Sequence, residues 1–171
     1  IGHLCNNPLL SNLIALSLEM VEGEYFLDQL KNSKYLQNLR SLSLEHSSSG
    51  SIQWGQFLGE FTFSELRHLH LGGTRFKGDD LKALAENPSI QKLQSLDLSW
   101  NTIPLNGYLE LAKSPYLSGL QHLTLSGADV KDKAIAAFNK HSPFERLEVL
   151  KLHSNTIGAK GVGIIANSPV F

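Results

Sequence analysis

Leucines recur along this chain on a fixed grid. The frame L-x-x-L-x-L-x-x-N-x-I is clearest in Leu93-Gln-Ser-Leu96-Asp-Leu98-Ser-Trp-Asn101-Thr-Ile103. Its leading leucine falls at Leu13, Leu39, Leu66, Leu93, Leu120 and Leu147, with steps of 26, 27, 27, 27 and 27 residues. Leucine follows three and five places later every time: Leu16 and Leu18, Leu42 and Leu44, Leu69 and Leu71, Leu96 and Leu98, Leu123 and Leu125, Leu150 and Leu152. L-x-L alternation predicts a strand with the leucines on one face and the x residues on the other. Beyond each strand the period changes. Leu81, Leu84 and Ala85 stand at i, i+3 and i+4, the apolar stripe of a helix, and Gly107-Tyr-Leu109-Glu-Leu111-Ala112 repeats the theme. Neither element can bury its face alone. Copies stacked at a fixed period of this length share one core, which is the pattern of a solenoid.

The helices are predicted to begin near Gly78-Asp79-Asp80, Asn106, Asp132 and Gly158, where short polar or acidic residues suit a first turn. They are predicted to end before Pro88, Pro115, Pro143 and Pro169, because proline pushes the preceding residue out of the helical region.

Seen six times in register, the frame resembles the leucine-rich repeat family, and the resemblance covers all 171 residues. The long period and the helical segment in each unit are similar to the helix-bearing, ribonuclease-inhibitor-like subclass in its bacterial-type form. The resemblance implies an α/β solenoid: a curved right-handed β-α horseshoe arc with a parallel concave sheet and outer helices. Strands pack at ~4.8 Å and helices at about 8–10 Å, so the stack bends with the sheet inside. The expected division is one domain, with a partial repeat at 1–12 and repeats at 13–38, 39–65, 66–92, 93–119, 120–146 and 147–171, the last incomplete. No polar cap is recognisable at either end, so an excerpt of a longer array is expected.

Two repeats deviate. The first carries acidic Glu19, Glu22, Glu24 and Asp28, read as a solvated turn with favourable charge near a helix N-terminus. In the second, Ser47-Ser-Ser-Gly50-Ser51 replaces the usual Asn and Ile, and Trp54, Phe57, Phe61 and Phe63 replace helix leucines. That pattern reads as a repacked convex side with core aromatics; the alternative is an insertion presenting a contact loop. The family's Asn ladder is thin. Asn101 and Asn155 are present, but Ser47, Thr74 and Ala128 hold equivalent places, which predicts looser second, third and fifth turns.

Composition narrows the function classes. Fifteen basic against 16 acidic side chains give a net charge of -1, which argues against nucleic-acid or membrane-surface binding driven by bulk charge. No apolar run reaches the ~18 residues of a membrane span. A single cysteine, Cys5, excludes an internal disulfide. Extracellular members of the resembled family usually carry disulfide-closed caps, so a reducing, cytoplasmic setting is expected, with delivery into a host cell if the module belongs to an effector.

The x positions form three columns on the exposed side of the sheet. The first runs Ala15, Ser41, His68, Ser95, His122, Val149; the second Ser17, Ser43, His70, Asp97, Thr124, Lys151; the third Glu19, Glu45, Gly72, Ser99, Ser126, His153. Met20, His46 and Trp100 share one position just past the strands. A polar, histidine-rich face of this kind is either an exposed sheet that tolerates such residues or a protein-binding surface, the usual use of a solenoid's concavity. The expected contact set is Ser43, Glu45, His68, His70, Ser95, Asp97, Ser99, Trp100, His122, Thr124, Ser126, Lys151 and His153, with Trp100 as anchor. Six strands at ~4.8 Å and three outward positions at ~3.3 Å give a patch on the order of 400 Å², half of a standard ~800 Å² footprint. A tight partner must therefore also use the rim.

Catalytic motifs are scarce. His68-Leu-His70 places two imidazoles on one strand face with Asp97 on the next strand, a set that could hold zinc with an open position. The imidazole roots stand ~6.6 Å apart along the strand, loose for chelation. Histidines near Asp97, Glu45 and Glu19 could also change the charge of the face between about pH 5 and 7. Gly158-Ala-Lys-Gly161-Val-Gly163 lacks the spacing of a dinucleotide fingerprint, and Cys5 sits where a small buried residue is wanted. The reading is a non-catalytic module for protein–protein recognition, with no cofactor, no resident metal and a protein partner of unknown identity. A structural spacer is the alternative, and a metal-dependent hydrolase at His68, His70 and Asp97 a more distant one.

Overall fold

A computed structural model describes residues 5–21, 24–47, 54–75, 77–141, 144–169 and 171. Six three-residue strands form one sheet: β1 Ala15–Ser17, β2 Ser41–Ser43, β3 His68–His70, β4 Ser95–Asp97, β5 His122–Thr124 and β6 Val149–Lys151. They are parallel and lie in sequence order. A helix follows each strand: α1 Glu24–Lys31, α2 Trp54–Glu60, α3 Gly78–Glu86, α4 Leu105–Lys113, α5 Asp132–His141 and α6 Ala159–Asn167. Consecutive helices from α1 to α6 pack on one another. The prolines stop α3 and α4 as predicted, with Asn87 and Ser114 as extended C-caps.

The register matches the grid. Leu16, Leu42, Leu69, Leu96, Leu123 and Leu150 are successive partners across the sheet. The twelve grid leucines of the four inner repeats are at most 1% exposed. Leu13, Leu16, Leu18, Leu147, Leu150 and Leu152, in the first and last repeats, are partly buried and pack against this core. The aromatics of the second repeat belong to this core. Trp54, Phe57, Phe61 and Phe63 are at most 4% exposed, and Phe61 stacks on Phe63 with centroids 5.5 Å apart. Of the candidate contact loop Ser47-Ser-Ser-Gly50-Ser51, all but Ser47 lies outside the described residues, as does Glu22 of the acidic cluster.

Side chains on the turns tie each repeat to the one before it. Asn101 Nδ2 donates to the carbonyls of Leu71, Leu98 and Ser99, while its Oδ1 accepts from the Arg75 amide at 2.7 Å and the Thr74 hydroxyl at 3.2 Å. Asn155 does the same one step on, accepting from the amides of Ala128 and Val130. Ser47 accepts from the Val21 amide. An Asn therefore clamps the turn of the preceding repeat. This reverses part of the expectation: the third and fifth turns, which lack their own Asn, are the ones held by Asn101 and Asn155. Tyr108, buried in α4, adds a 2.5 Å bond from its hydroxyl to the Ala128 carbonyl, and burial pushes its phenol pKa upward.

A second ladder runs at the helix ends. Asn87 donates to the carbonyls of Leu58 and Phe61, Ser114 to that of Ala85, and Ser33 to that of Cys5. These are carbonyls that a helix terminus leaves without intrahelical partners.

Candidate functional site: the outer face of the sheet and its rim

Pairing lines up the outward residues as the sequence predicts, with Ser41, His68, Ser95 and His122 in one row and Ser43, His70, Asp97 and Thr124 in the next. Exposure divides the expected contact set. His122, Lys151, His153 and Trp100 are exposed; Ser43, Glu45, His68, His70, Ser95, Asp97 and Thr124 are half-buried. Ser99 and Ser126 are not available to a partner, at 8% and 1% exposure. Ser99 is turned inward to Asp97, donating to Oδ1 from its amide at 2.8 Å and from its hydroxyl at 2.5 Å. Ser126 lies in the floor beside the rim, where its carbonyl accepts from the Trp100 amide at 2.8 Å.

The rim is built identically in every repeat. Met20, His46, Gly73, Trp100, Gly127 and Ser154 all hold φ between 54° and 68°, the left-handed region. From Met20 to Gly127, each rim amide donates to a carbonyl of the next strand: Glu45, Gly72, Ser99, Ser126 and His153 in turn. Only glycine adopts this conformation without steric cost. The two rim glycines also leave space. A Cβ on Gly127 would lie 2.5 Å from the Trp100 ring, and one on Gly73 2.5 Å from Nδ1 of His46. His46 and Trp100 thus each lie over the glycine of the following repeat. Trp100 remains 59% exposed with one side of its indole braced, and Met20, at 72%, is the other large apolar residue of the rim.

The histidines do not act as one group. His68 is half-buried, and burial first, then the charges of His70, His122 and Arg67, push its pKa below the usual imidazole value. His70 faces two carboxylates. The ligand atoms of Glu45, His70 and Asp97 lie within 4.8 Å of one another. The set read from sequence, His68 with His70 and Asp97, is thereby changed: His68 is not in this cluster, and Glu45 from β2's end takes its place. Gly72 makes the room. A Cβ there would sit 3.2 Å from both Glu45 Oε1 and Ser99 Oγ. The signal was present in the third column, where Glu45, Gly72 and Ser99 are consecutive.

Comparison with known proteins agrees with this architecture. A family model described as Leucine Rich repeat matches residues 89–112. No curated protein matches the sequence. Among solved structures, the tropomodulin C-terminal domain of Caenorhabditis elegans aligns with a TM-score of 0.56 at 11% identity, over 96% of this chain and 89% of that one. The chain is a leucine-rich repeat solenoid. Leiomodin-1 actin-binding site 2 aligns at 0.52 and 15% identity, over 94% of the leucine-rich repeat chain and 84% of its own. An internalin of Listeria monocytogenes aligns at 0.54 and 16%, over 95% of this chain and 49% of the internalin. At these identities the likeness is one of fold. Among the described residues, no helix of the leucine-rich repeat chain is long and apolar enough to cross a membrane.

Proposed function

We propose that this chain is a non-catalytic protein-recognition module that binds a protein partner through the outer face of its sheet and the rim. The observation that carries the reading is Trp100. A 59% exposed tryptophan, braced over Gly127 at the edge of a half-buried polar face, is a rigid anchor that loses little conformational freedom on binding. The ribonuclease-inhibitor-like subclass is part of the proposal, supported by the 27-residue period and a helix in every repeat. A reducing, cytoplasmic setting is supported by the single cysteine, Cys5, which is buried and not paired in a disulfide. The region of leiomodin-1 that aligns is named for actin binding, so actin is a sensible first protein to test, alongside unbiased capture.

The test compares the chain with three variants of it. Trp100→Ala alters the rim, His122→Ala alters the face, and Lys82→Ala alters α3 away from both. A partner held by the chain and by Lys82→Ala, but at least ~tenfold weaker on Trp100→Ala, is the expected result. A partner whose affinity is unchanged by Trp100→Ala and His122→Ala, or is lost on Lys82→Ala, overturns the proposal.

A further inference from the structure

We infer that Glu45, His70 and Asp97 form a zinc-binding site on the outer face of the sheet, independent of any protein partner. The three come from adjacent strands: Glu45 just past the end of β2, His70 closing β3 and Asp97 closing β4. Their candidate ligand atoms all lie within 4.8 Å of one another. Among the described residues, neither a hydrogen bond nor an ion pair joins His70 to either carboxylate. The three ligand atoms stand apart, with room for an ion between them.

The geometry can be worked through. Three atoms no more than 4.8 Å apart all lie within ~2.8 Å of some common point, against ~2.0–2.2 Å for zinc bonded to imidazole nitrogen or carboxylate oxygen. Rotamer shifts of up to about 0.8 Å close the difference, and all three residues are half-buried, with solvent on one side to permit them. Gly72 keeps the floor clear where a side chain would intrude.

The donor set separates zinc from the hard cations. Calcium and magnesium take oxygen ligands, whereas imidazole suits zinc and its first-row neighbours. One imidazole and two carboxylates make three protein ligands, leaving a fourth position open to solvent. The surroundings are also prepared. Ser99 donates twice to Asp97 Oδ1, at 2.8 Å from its amide and 2.5 Å from its hydroxyl, which fixes the carboxylate plane and leaves Oδ2 free. Such outer hydrogen bonds orient metal-binding carboxylates. On the other side Ser43 Oγ donates to Glu45 Oε2 at 3.5 Å.

The experiment is a zinc titration of the tag-free chain after chelator treatment, read by calorimetry and by competition with a chromophoric chelator. One zinc per chain is expected, with a rise in melting temperature. Glu45→Gln, His70→Ala and Asp97→Asn, each first shown to be folded by circular dichroism, are expected to weaken binding by more than ~100-fold, and Ser99→Ala by ~10-fold. His68→Ala and His122→Ala remove neighbouring imidazoles and are expected to leave affinity within about twofold. The inference is overturned by the absence of 1:1 uptake, by equal losses in His122→Ala, or by calcium displacing zinc at equal concentration. None of these readouts involves a protein partner, so they are separable from a failure of the recognition proposal.

Discussion

The two ladder asparagines offer a clean separation of hydrogen-bond number from access to water. Each makes five hydrogen bonds of the same kind. Truncating Asn101 leaves the Leu98 carbonyl and the Arg75 amide without partners, while the Leu71 carbonyl keeps the Thr74 hydroxyl at 2.8 Å and the Ser99 carbonyl keeps the Gly73 amide at 2.8 Å. Truncating Asn155 strands more groups: the carbonyls of Leu125 and Leu152 and the amides of Ala128 and Val130. A count of broken bonds therefore makes Asn155→Ala the costlier change. Solvent makes the opposite prediction. Asn101 is fully buried, beneath the next repeat, whereas Asn155 is half-exposed, and water can replace its side chain. A buried group left unsatisfied costs ~1–3 kcal/mol, so Asn101→Ala should lose about 3 kcal/mol and Asn155→Ala about 1 kcal/mol. At ~2–4 °C per kcal/mol for a chain of this size, the melting temperatures should fall by roughly 6–12 °C and 2–4 °C. Urea unfolding followed by circular dichroism measures both, and amide exchange at Arg75 gives a local check. If Asn155→Ala costs as much as Asn101→Ala, burial is not what gives the ladder its strength, and the reasoning fails.

Three further changes test other parts of the structure. Gly127→Ala should cost about 1–2 kcal/mol from the left-handed backbone, more if the Trp100 ring cannot move, and iodide quenching of Trp100 should increase; Trp54 is buried, so the quenched signal reports on the rim. Combining it with Trp100→Ala should recover the ring-contact part, and purely additive losses would count against the braced ring. The depressed pKa of His68 means that its contribution to stability is present above the ordinary imidazole value of 6.5 and is lost as pH falls through the lower folded value. His68→Asn should accordingly flatten the stability profile below about pH 6.5, measured as melting temperature against pH. Lys31 joins α1 to α2 through Glu60 at 2.6 Å, and that bond holds the Glu60 carboxyl below its usual 4.5. The linked stability is present above pH 4.5 and disappears as pH drops through the folded value, so Lys31→Met should remove that acid-side slope.

The leucine grid and the three outward columns were legible because both rest on a period-2 strand repeated at constant spacing. Every partner inferred for the first two columns is a partner in the sheet. What escaped the sequence depended on direction. The absence of Asn at Thr74 and Ala128 was read as weakness in their own turns, but an Asn on this scaffold reaches back one repeat. His68 and His70 lie along β3, where side-chain roots are ~6.6 Å apart; Ser43 is the direct partner of His70, and Glu45 reaches it diagonally because its side chain is long and Gly72 presents none in the way. Ser99 and Ser126 occupy outward columns yet are buried, because a short side chain past the end of a strand is covered by its larger neighbours; the Ser99 hydroxyl turns to Asp97.

The rim shows how a position can be under strong structural constraint without a consensus residue. Met20, His46, Gly73, Trp100, Gly127 and Ser154 share no chemistry, so no motif marks them. Their common property is a left-handed backbone, and from Met20 to Gly127 each rim amide reaches a carbonyl of the next repeat. Non-glycine residues pay a strain of about 1–2 kcal/mol there, and that strain needs an offsetting contact. At His46 and Trp100 the contact is the face of a glycine one repeat on. Alternating a ring with a glycine thus lets a costly backbone hold an exposed aromatic in one orientation. The same turn that closes the strand lays Trp100 over Gly127 at the edge of the face. The anchor is therefore a consequence of one repeated backbone device, and a substitution that relaxes the turn at position 100 should disturb recognition by the rim.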